Sequence, residues 1–452
     1  MHRTRLVKTV LIIILLAGLP NLSFGKEAPQ NRLPNIVLIT ADNLGYGDVG
    51  CYGNSTIKTP AMDRLATQGV RCTSFYTASP TCTVSRATLL TGRYPQRIGL
   101  NHQLSAKQNL GIGLRQSEKL IPQYLKPLGY ATACFGKWNI GFAPGSRPTE
   151  RGFDEFFGNA SGNFDYYTHI YAGRNDLYRG TEPVKVEGYS TDLFADAACD
   201  FIGRHAESPF FLYLPFNAPH FPSARNKGPG EPNIWQAPAT ALAAYGYAED
   251  ETDPQKRYHA VVTALDTGID RVLKKLDALQ LTNDTLVIFY SDNGAFMLPG
   301  RGLEVASNRP LRDGGITLWE GGIRVPCIVR WPGRLKPGSL SDQPWISLDI
   351  LPFILAVAGG ERPETPVLDG VDPLPELRDE TRPSPRRFYW GFRGMQAVRE
   401  GRYKWILPKR AKVAQLFDLS SDLSETVDLA ATQPKVADSL RQAFAEWRSQ
   451  FP

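Results

Sequence analysis

Asn35-Ile36-Val37-Leu38-Ile39-Thr40-Ala41-Asp42-Asn43 decides how the rest of the chain is read. An unbroken apolar run without polar alternation marks a strand buried on both faces, and such strands belong to parallel sheets covered by helices. The switch to Asp42-Asn43 places a polar pair just past the strand's carboxyl end, where open α/β sheets hold their ligands. The pattern recurs: Pro209 to Phe216 runs into Asn217-Ala218-Pro219-His220, and Thr285 to Tyr290 runs into Ser291-Asp292-Asn293-Gly294. Further strands are predicted over 130–135 and 323–331. Helices are predicted over 60–69, opened by Pro60, and over 86–91, stopped by Gly92, with others over 118–126, 187–205, 258–279 and 349–358. Strand alternating with helix predicts an α/β fold, a large mostly parallel mixed sheet sandwiched by helices.

The Pro-rich stretch from Glu361 to Pro385 reads as a linker. Beyond it, strands over 395–407 and 414–418 and a helix from Val436 to Trp447 predict a small antiparallel sheet packed with one helix. The expected organisation is a leader over 1–25, a large catalytic domain over 33–375 and a small α+β domain over 376–452.

The 452 residues, 42% hydrophobic and 21% charged, exclude both a disordered chain and a multi-span membrane protein. With 41 Gly and 35 Pro, long connections must carry much of the chemistry. The formal charge of +6 is spread without a dense basic stripe, so no nucleic-acid partner is expected. Arg3, Arg5 and Lys8 precede an apolar run from Val10 to Leu19, and Ser23-Phe24-Gly25 offers small residues for cleavage, the pattern of a signal peptide. The run falls short of the roughly 18 residues a membrane span wants, so no stable span is expected after cleavage and the destination is periplasmic or secreted. Six Cys without a CxxC pair, and six His without an HExxH arrangement, argue against a zinc centre and for a metal held by oxygen.

Asp42-Asn43 and Asp292-Asn293 each follow a buried strand of one sheet, so they either converge on a hard cation such as Ca²⁺ or are ordinary turn residues. Thr81-Cys82-Thr83-Val84-Ser85-Arg86 puts a cysteine at the start of a helix, where backbone N–H groups favour an anion, with Arg86 one turn on; the alternative is a satisfied helix cap. His220 is either a proton donor or a hydrogen-bonded loop histidine, and Lys137 either holds an anion or solvates a surface.

Cys82-Thr83-Val84-Ser85-Arg86, leading into Thr91-Gly92-Arg93, resembles the signature of the type I sulfatases of the alkaline phosphatase superfamily, Cys-x-Pro-Ser-Arg followed by Thr-Gly-Arg. Gly136-Lys137-Trp138, Pro219-His220-Phe221-Pro222 and Glu320-Gly321-Gly322-Ile323-Arg324-Val325-Pro326 reinforce it, and the likeness continues to Gln415-Leu416-Phe417-Asp418-Leu419. The resemblance implies a sulfuric ester hydrolase whose Cys82 is converted to formylglycine by a formylglycine-generating enzyme. It also implies one Ca²⁺ held by Asp42, Asn43, Asp292 and Asn293. Arg86 would clamp residue 82, Lys137 would contact the sulfate and His220 would serve the leaving oxygen. Asn139, Ser161 and Arg312 are expected to contact the substrate, a sulfated small molecule or, by the family's habits, a sulfated carbohydrate, on which Tyr166, Tyr167, Tyr171 or Trp319 would stack if they do not simply pack the scaffold.

The sequence departs from the family pattern at four places. Val84 replaces proline, Asn139 replaces a histidine, Gly315 stands where a lysine is expected, and Asn43 replaces a carboxylate of the metal set. These departures define two rival readings: a degenerate homologue that binds sulfated glycan without turnover, and a phosphoester or phosphonate hydrolase.

Overall fold

In the structure, a computed structural model, residues 32–105, 111–222, 235–297, 304–379 and 386–451 are described, and the leader expected over 1–25 lies outside them. The opening stretch forms β1 (Asn35–Ala41), every residue of which is buried. Nine further strands join it: β2 (Val70–Cys72), β3 (Ala131–Lys137), β4 (Glu155–Asn159), β5 (Leu177–Arg179), β6 (Glu182–Pro183), β7 (Phe210–Pro215), β8 (Thr285–Ser291), β9 (Cys327–Arg330) and β10 (Ser339–Ser341). Their spatial order is β10-β2-β9-β8-β1-β7-β3-β4-β5-β6. From β8 through β4 all neighbours run parallel. Beyond them β9 and β5 turn the sheet antiparallel on either side. The expected mixed sheet is present, with its parallel part at the centre.

Alternation along β1 divides the core. Val37, Ile39 and Ala41 join one apolar cluster with residues of α1 (Pro60–Gln68), α3 (Ser190–Arg204) and α4 (Pro254–Ala278). Ile36 and Leu38 join the opposite cluster with α2 (Cys82–Thr91) and α5 (Ile350–Val357). Burial on both faces explains why β1 shows no polar alternation. The helix predicted over 86–91 begins four residues earlier, at Cys82, after the extended Thr81.

A four-stranded antiparallel sheet follows: β11 (Arg387–Phe392), β12 (Met395–Glu400), β13 (Tyr403–Leu407) and β14 (Gln415–Asp418), with α6 (Pro434–Arg448) against it. The stretch 395–407, read as one strand, is two joined by a turn at Gly401, and β11 was not foreseen. The Pro-rich stretch is tied down in its described part: the Arg362 guanidinium donates to the Gly370 and Leu368 carbonyls at 2.7 and 2.6 Å, and Asp369 pairs with Arg97 at 2.8 Å.

The small sheet is locked to the large one by a buried ionic network. The Lys404 ammonium on β13 reaches Glu320 at 2.9 Å and Glu425 at 2.8 Å, while Glu425 accepts the Glu320 backbone N–H at 2.7 Å. Tyr76 donates its hydroxyl to the other Glu320 oxygen at 2.6 Å. Burial opposes ionisation of Glu320, but the charges of Lys404, Arg324 and Arg399 outweigh it and hold the carboxyl down at about 2. Glu425 is pushed up to about 7, first by burial and then by the neighbouring Glu320 charge, against the pull of Lys404. Lys404→Met leaves Glu425 without its buried cation and Glu320 with Arg324 alone, at 3.3 Å, among the described residues, so it is expected to lower unfolding free energy by about 3–5 kcal/mol, the range for breaking a buried pair. Urea titration checks this; a loss below about 1 kcal/mol, the exposed-pair range, would show that the network is dispensable.

Candidate active site

The parallel register puts Thr40 beside Tyr290 and Ala41 beside Ser291, so β1 and β8 end together. The residues that follow are stitched across the gap. The Asn43 backbone N–H donates to Asp292 Oδ1 at 3.1 Å, the Leu44 N–H to Ser291 Oγ at 2.9 Å, and the Asp292 N–H to the Ala41 carbonyl at 3.0 Å. Asn43 takes φ +62°, a left-handed conformation that Asn adopts more readily than most residues. The Asp42 N–H donates to the Ala218 carbonyl at 2.9 Å, which joins this edge to the loop after β7 that carries His220.

Two cations enter from other elements. Lys137, the last residue of β3, brings its Nζ to 2.5 Å from Asp42 Oδ2. Arg86, one turn into α2, places Nε 2.9 Å and Nη2 2.7 Å from Asp292 Oδ2 and donates from Nη1 to the Lys137 carbonyl at 3.0 Å. All four side chains are fully buried. Burial pulls the Lys137 ammonium down, but Asp42, with smaller help from Cys82 and Asp292, outweighs it and the group stays above its ordinary value. Burial likewise raises Asp292, opposed mainly by Arg86.

Cys82 opens α2 with Sγ 3.3 Å from Asp42 Oδ1 and 3.6 Å from Asn43 Oδ1. Burial, and then the Asp42 charge, push this thiol well above the usual range, so unmodified Cys82 is a poor nucleophile. An Asp42 oxygen, Cys82 Sγ and a His220 ring nitrogen lie within 4.8 Å of one another, close enough to act on one bound group. His220 Nδ1 is 2.7 Å from the Phe221 carbonyl, which only accepts; Nδ1 therefore carries the proton and Nε2 presents a lone pair. Burial and the Lys137 charge push the imidazole down to about 3, so the ring is neutral.

The donors at the strand ends suit a hard cation: two buried carboxylates, Asp42 and Asp292, and two amide groups, Asn43 and Asn293. Asn293 Oδ1 is buried with no hydrogen-bond partner among the described residues, an acceptor in want of a positive charge.

These groups open into a cavity of about 570 Å³ in which Cys82, Lys137 and His220 share the wall with Tyr171, Phe221 and Phe296. Phe296 was not foreseen. A Cβ on Gly315 would stand 2.0 Å from its ring, so the aromatic side chain fills the space that a side chain at 315 would take. Gln103, which accepts the Thr83 N–H at 3.1 Å, and Arg393, from the small sheet, also line the cavity and were likewise missed.

Three expected contacts need correction or qualification. The Ser161 hydroxyl donates to Asp176, whose carboxyl also accepts the Ser161 N–H at 3.1 Å, so this side chain is spent inside the scaffold. Arg312 donates to the Glu425 carbonyl at 2.7 Å and lies 3.6 Å over the Trp319 ring, which occupies both residues at the junction with the small sheet. Asn139 is buried at φ +55° with neither amide atom hydrogen-bonded among the described residues. Among the aromatics, Tyr171 lines the cavity, whereas Tyr166 is buried and donates its hydroxyl to the His220 carbonyl at 2.8 Å.

Comparison with known proteins agrees with this geometry. The family model described as Sulfatase matches residues 34–360. N-acetylgalactosamine-6-sulfatase of Rattus norvegicus is 35% identical over 414 residues, covering 87% of this chain and 74% of the relative. Steryl-sulfatase of Mus musculus is 32% identical over 483 residues, covering 87% and 73%. A solved structure described as Ps i-CgsB superposes with a TM-score of 0.83 at 31% identity, covering 92% of this chain and 93% of that one; Ps i-CgsB is also known in complex with k-i-k-neocarrahexaose. The chain belongs to the sulfatase family, and within it to the type I sulfatases. It is accordingly a hydrolase of sulfate esters.

The reassignment of Ser161 is testable. Ser161→Ala deprives the buried Asp176 carboxyl of a donor, which is expected to lower stability by about 1–3 kcal/mol while leaving KM unchanged. A raised KM with an unaltered melting temperature would return Ser161 to the substrate.

Proposed function

We propose that this sulfatase removes sulfate from a sulfated carbohydrate, with residue 82 acting as formylglycine and one Ca²⁺ held by Asp42, Asn43, Asp292 and Asn293. The observation that carries the reading is the placement of Cys82 at the first residue of a helix, among Asp42, Lys137 and Arg86 and facing His220 across one cavity. A thiol so buried and so raised in pKa has little chemistry of its own, whereas the hydrated aldehyde supplies one hydroxyl to attack sulfur and another to expel sulfate.

The chain's own residues divide the remaining work. Asp42 and Asp292 balance Lys137 and Arg86, so a bound dication leaves the site positive and attractive to an ester anion. Lys137 is fixed by Asp42 at the end of β3, ready to face the sulfuryl oxygens as charge grows on them, the electrostatic contribution that usually dominates catalysis. Arg86 fixes Asp292 and the β3 terminus, holding the first turn of α2 in register with the metal carboxylates. His220 meets the substrate as a neutral ring with Nε2 bare. A proton taken up there as the anionic ester binds would serve the departing alcohol oxygen.

The carbohydrate assignment is supported by the apolar wall of Tyr171, Phe221 and Phe296, suited to sugar faces, and by the saccharide-named relatives. Export to the periplasm or beyond is proposed from the N-terminal sequence, and among the described residues no helix is long and apolar enough to cross a membrane.

Peptide mass spectrometry of residue 82, after co-expression with a formylglycine-generating enzyme, is expected to show the aldehyde, accompanied by sulfate release from sulfated saccharides. Val84→Pro serves as a control, since position 84 is in the first helical turn, where proline is tolerated. An unconverted cysteine in the parent with conversion in the control would sink the formylglycine mechanism and favour the binding-only reading.

Asn43→Asp adds a charge to the ligand set at a left-handed position that Asp also accepts. It is expected to tighten Ca²⁺ binding by roughly an order of magnitude in calorimetric titration of chelator-treated protein. Unaltered affinity would remove residue 43 from the ligand set.

A further inference from the structure

We propose that Arg393 is a specificity-determining residue, the subsite for a second anionic group, sulfate or carboxylate, on the sugar next to the one being desulfated. The inference rests on the carbohydrate-sulfate reading above and names its substrate class as multiply anionic saccharides.

Arg393 and Gly394 form the two-residue connection between β11 and β12, whose last cross-strand pair is Phe392 with Met395. Both residues have positive φ, +48° and +82°. This is the mirror-image hairpin turn, for which Asn-Gly or Asp-Gly is the preferred sequence. A long cationic side chain on a left-handed backbone is unfavourable there for the fold alone, and residues held in such conformations cluster at functional sites.

The turn carries Arg393 to the wall of the cavity that also contains Cys82, Lys137 and His220. No Asp or Glu lines that cavity among the described residues. Lys137 is neutralised by Asp42 at 2.5 Å, whereas Arg393 is exposed and has no carboxylate partner among the described residues. Its guanidinium rests over the neighbouring Phe392 ring at 5.1 Å, a contact that supports the planar group while leaving its N–H edges for an anion. The cavity therefore presents a reacting end at Cys82, apolar faces for sugar rings, and an unneutralised guanidinium on a separate element.

Arg393→Asn tests this without threatening the fold, because Asn-Gly is the sequence the turn prefers. Binding is measured by calorimetry on the full chain with unmodified Cys82, in calcium-containing buffer, so that nothing is turned over. The probes are galactose 6-sulfate, a sulfated ι-carrageenan tetrasaccharide and an unsaturated chondroitin 6-sulfate disaccharide, the last two supplying an extra sulfate and a carboxylate. The parent is expected to bind at least one multiply charged probe more tightly than the monosaccharide. Arg393→Asn should weaken that probe roughly 10- to 100-fold and leave the monosaccharide unchanged, as loss of a charge-assisted hydrogen bond predicts. Arg393→Lys should recover part of the loss. The probe that suffers identifies the group as sulfate or carboxylate. Equal weakening of all three probes, no weakening of any, or a parent that gains nothing from the second charge would overturn the proposal. Sulfate release by the converted parent, tested separately, addresses the hydrolase reading: its absence with the binding pattern intact would sink that reading and leave the Arg393 subsite standing.

Discussion

The site depends on one constraint: β1 and β8 are parallel neighbours in register, and each is followed at once by a carboxylate that is completely buried. Asp42 and Asp292 are thereby forced side by side at the strand ends, and two buried negative charges at such separation are untenable alone. Everything that meets them answers this problem. Lys137 arrives from β3 and Arg86 from α2, and their ion pairs fix the ends of two further elements at the same edge. The electrostatics that make the fold tolerable also assemble the groups of the candidate site.

Much of this was legible because parallel central strands write themselves as apolar runs. Asn35 to Thr40, Phe210 to Leu214 and Thr285 to Tyr290 read as strands, and the polar residues after them read as site residues, with no knowledge of contacts between them. Local pattern fails where a residue's role is set by a partner far away in sequence. Arg312 and Ser161 sit in or near family motifs, yet Glu425, Trp319 and Asp176 claim their side chains. Phe296 and Arg393 carry no local signal: the one lies in an irregular stretch after the Asp-Asn-Gly sequence, the other some three hundred residues from the cysteine whose cavity it shares. Strand β11 was missed for a related reason, since it begins directly after a Pro-rich stretch that reads as connection.

The small sheet contributes to both stability and the candidate site. Lys404 anchors it to Glu320 in the Glu-Gly-Gly-Ile-Arg motif, so a sequence element that carries the family resemblance is also a fastening. Because the network is buried, its geometry is narrow, and the hairpin bearing Arg393 is held to the same frame as α2 and the strand ends. A surface ion pair would not impose that precision.

The departures from the family pattern fit together on electrostatic grounds. Asn43 removes a negative charge from the donor set, and Gly315 withholds a positive one from the same site, so the balance among Asp42, Asp292, Arg86 and Lys137 is preserved. The volume relinquished at 315 is taken by the Phe296 ring, which packs edge-on to His220 at 5.8 Å. An aromatic ring there makes the wall beside His220 less polar and, by excluding water, favours stronger interactions among the remaining charges. A site with fewer ionised groups but a drier wall still suits an anionic sulfate ester, and on the proposed reading discrimination among substrates shifts outward to residues at the rim.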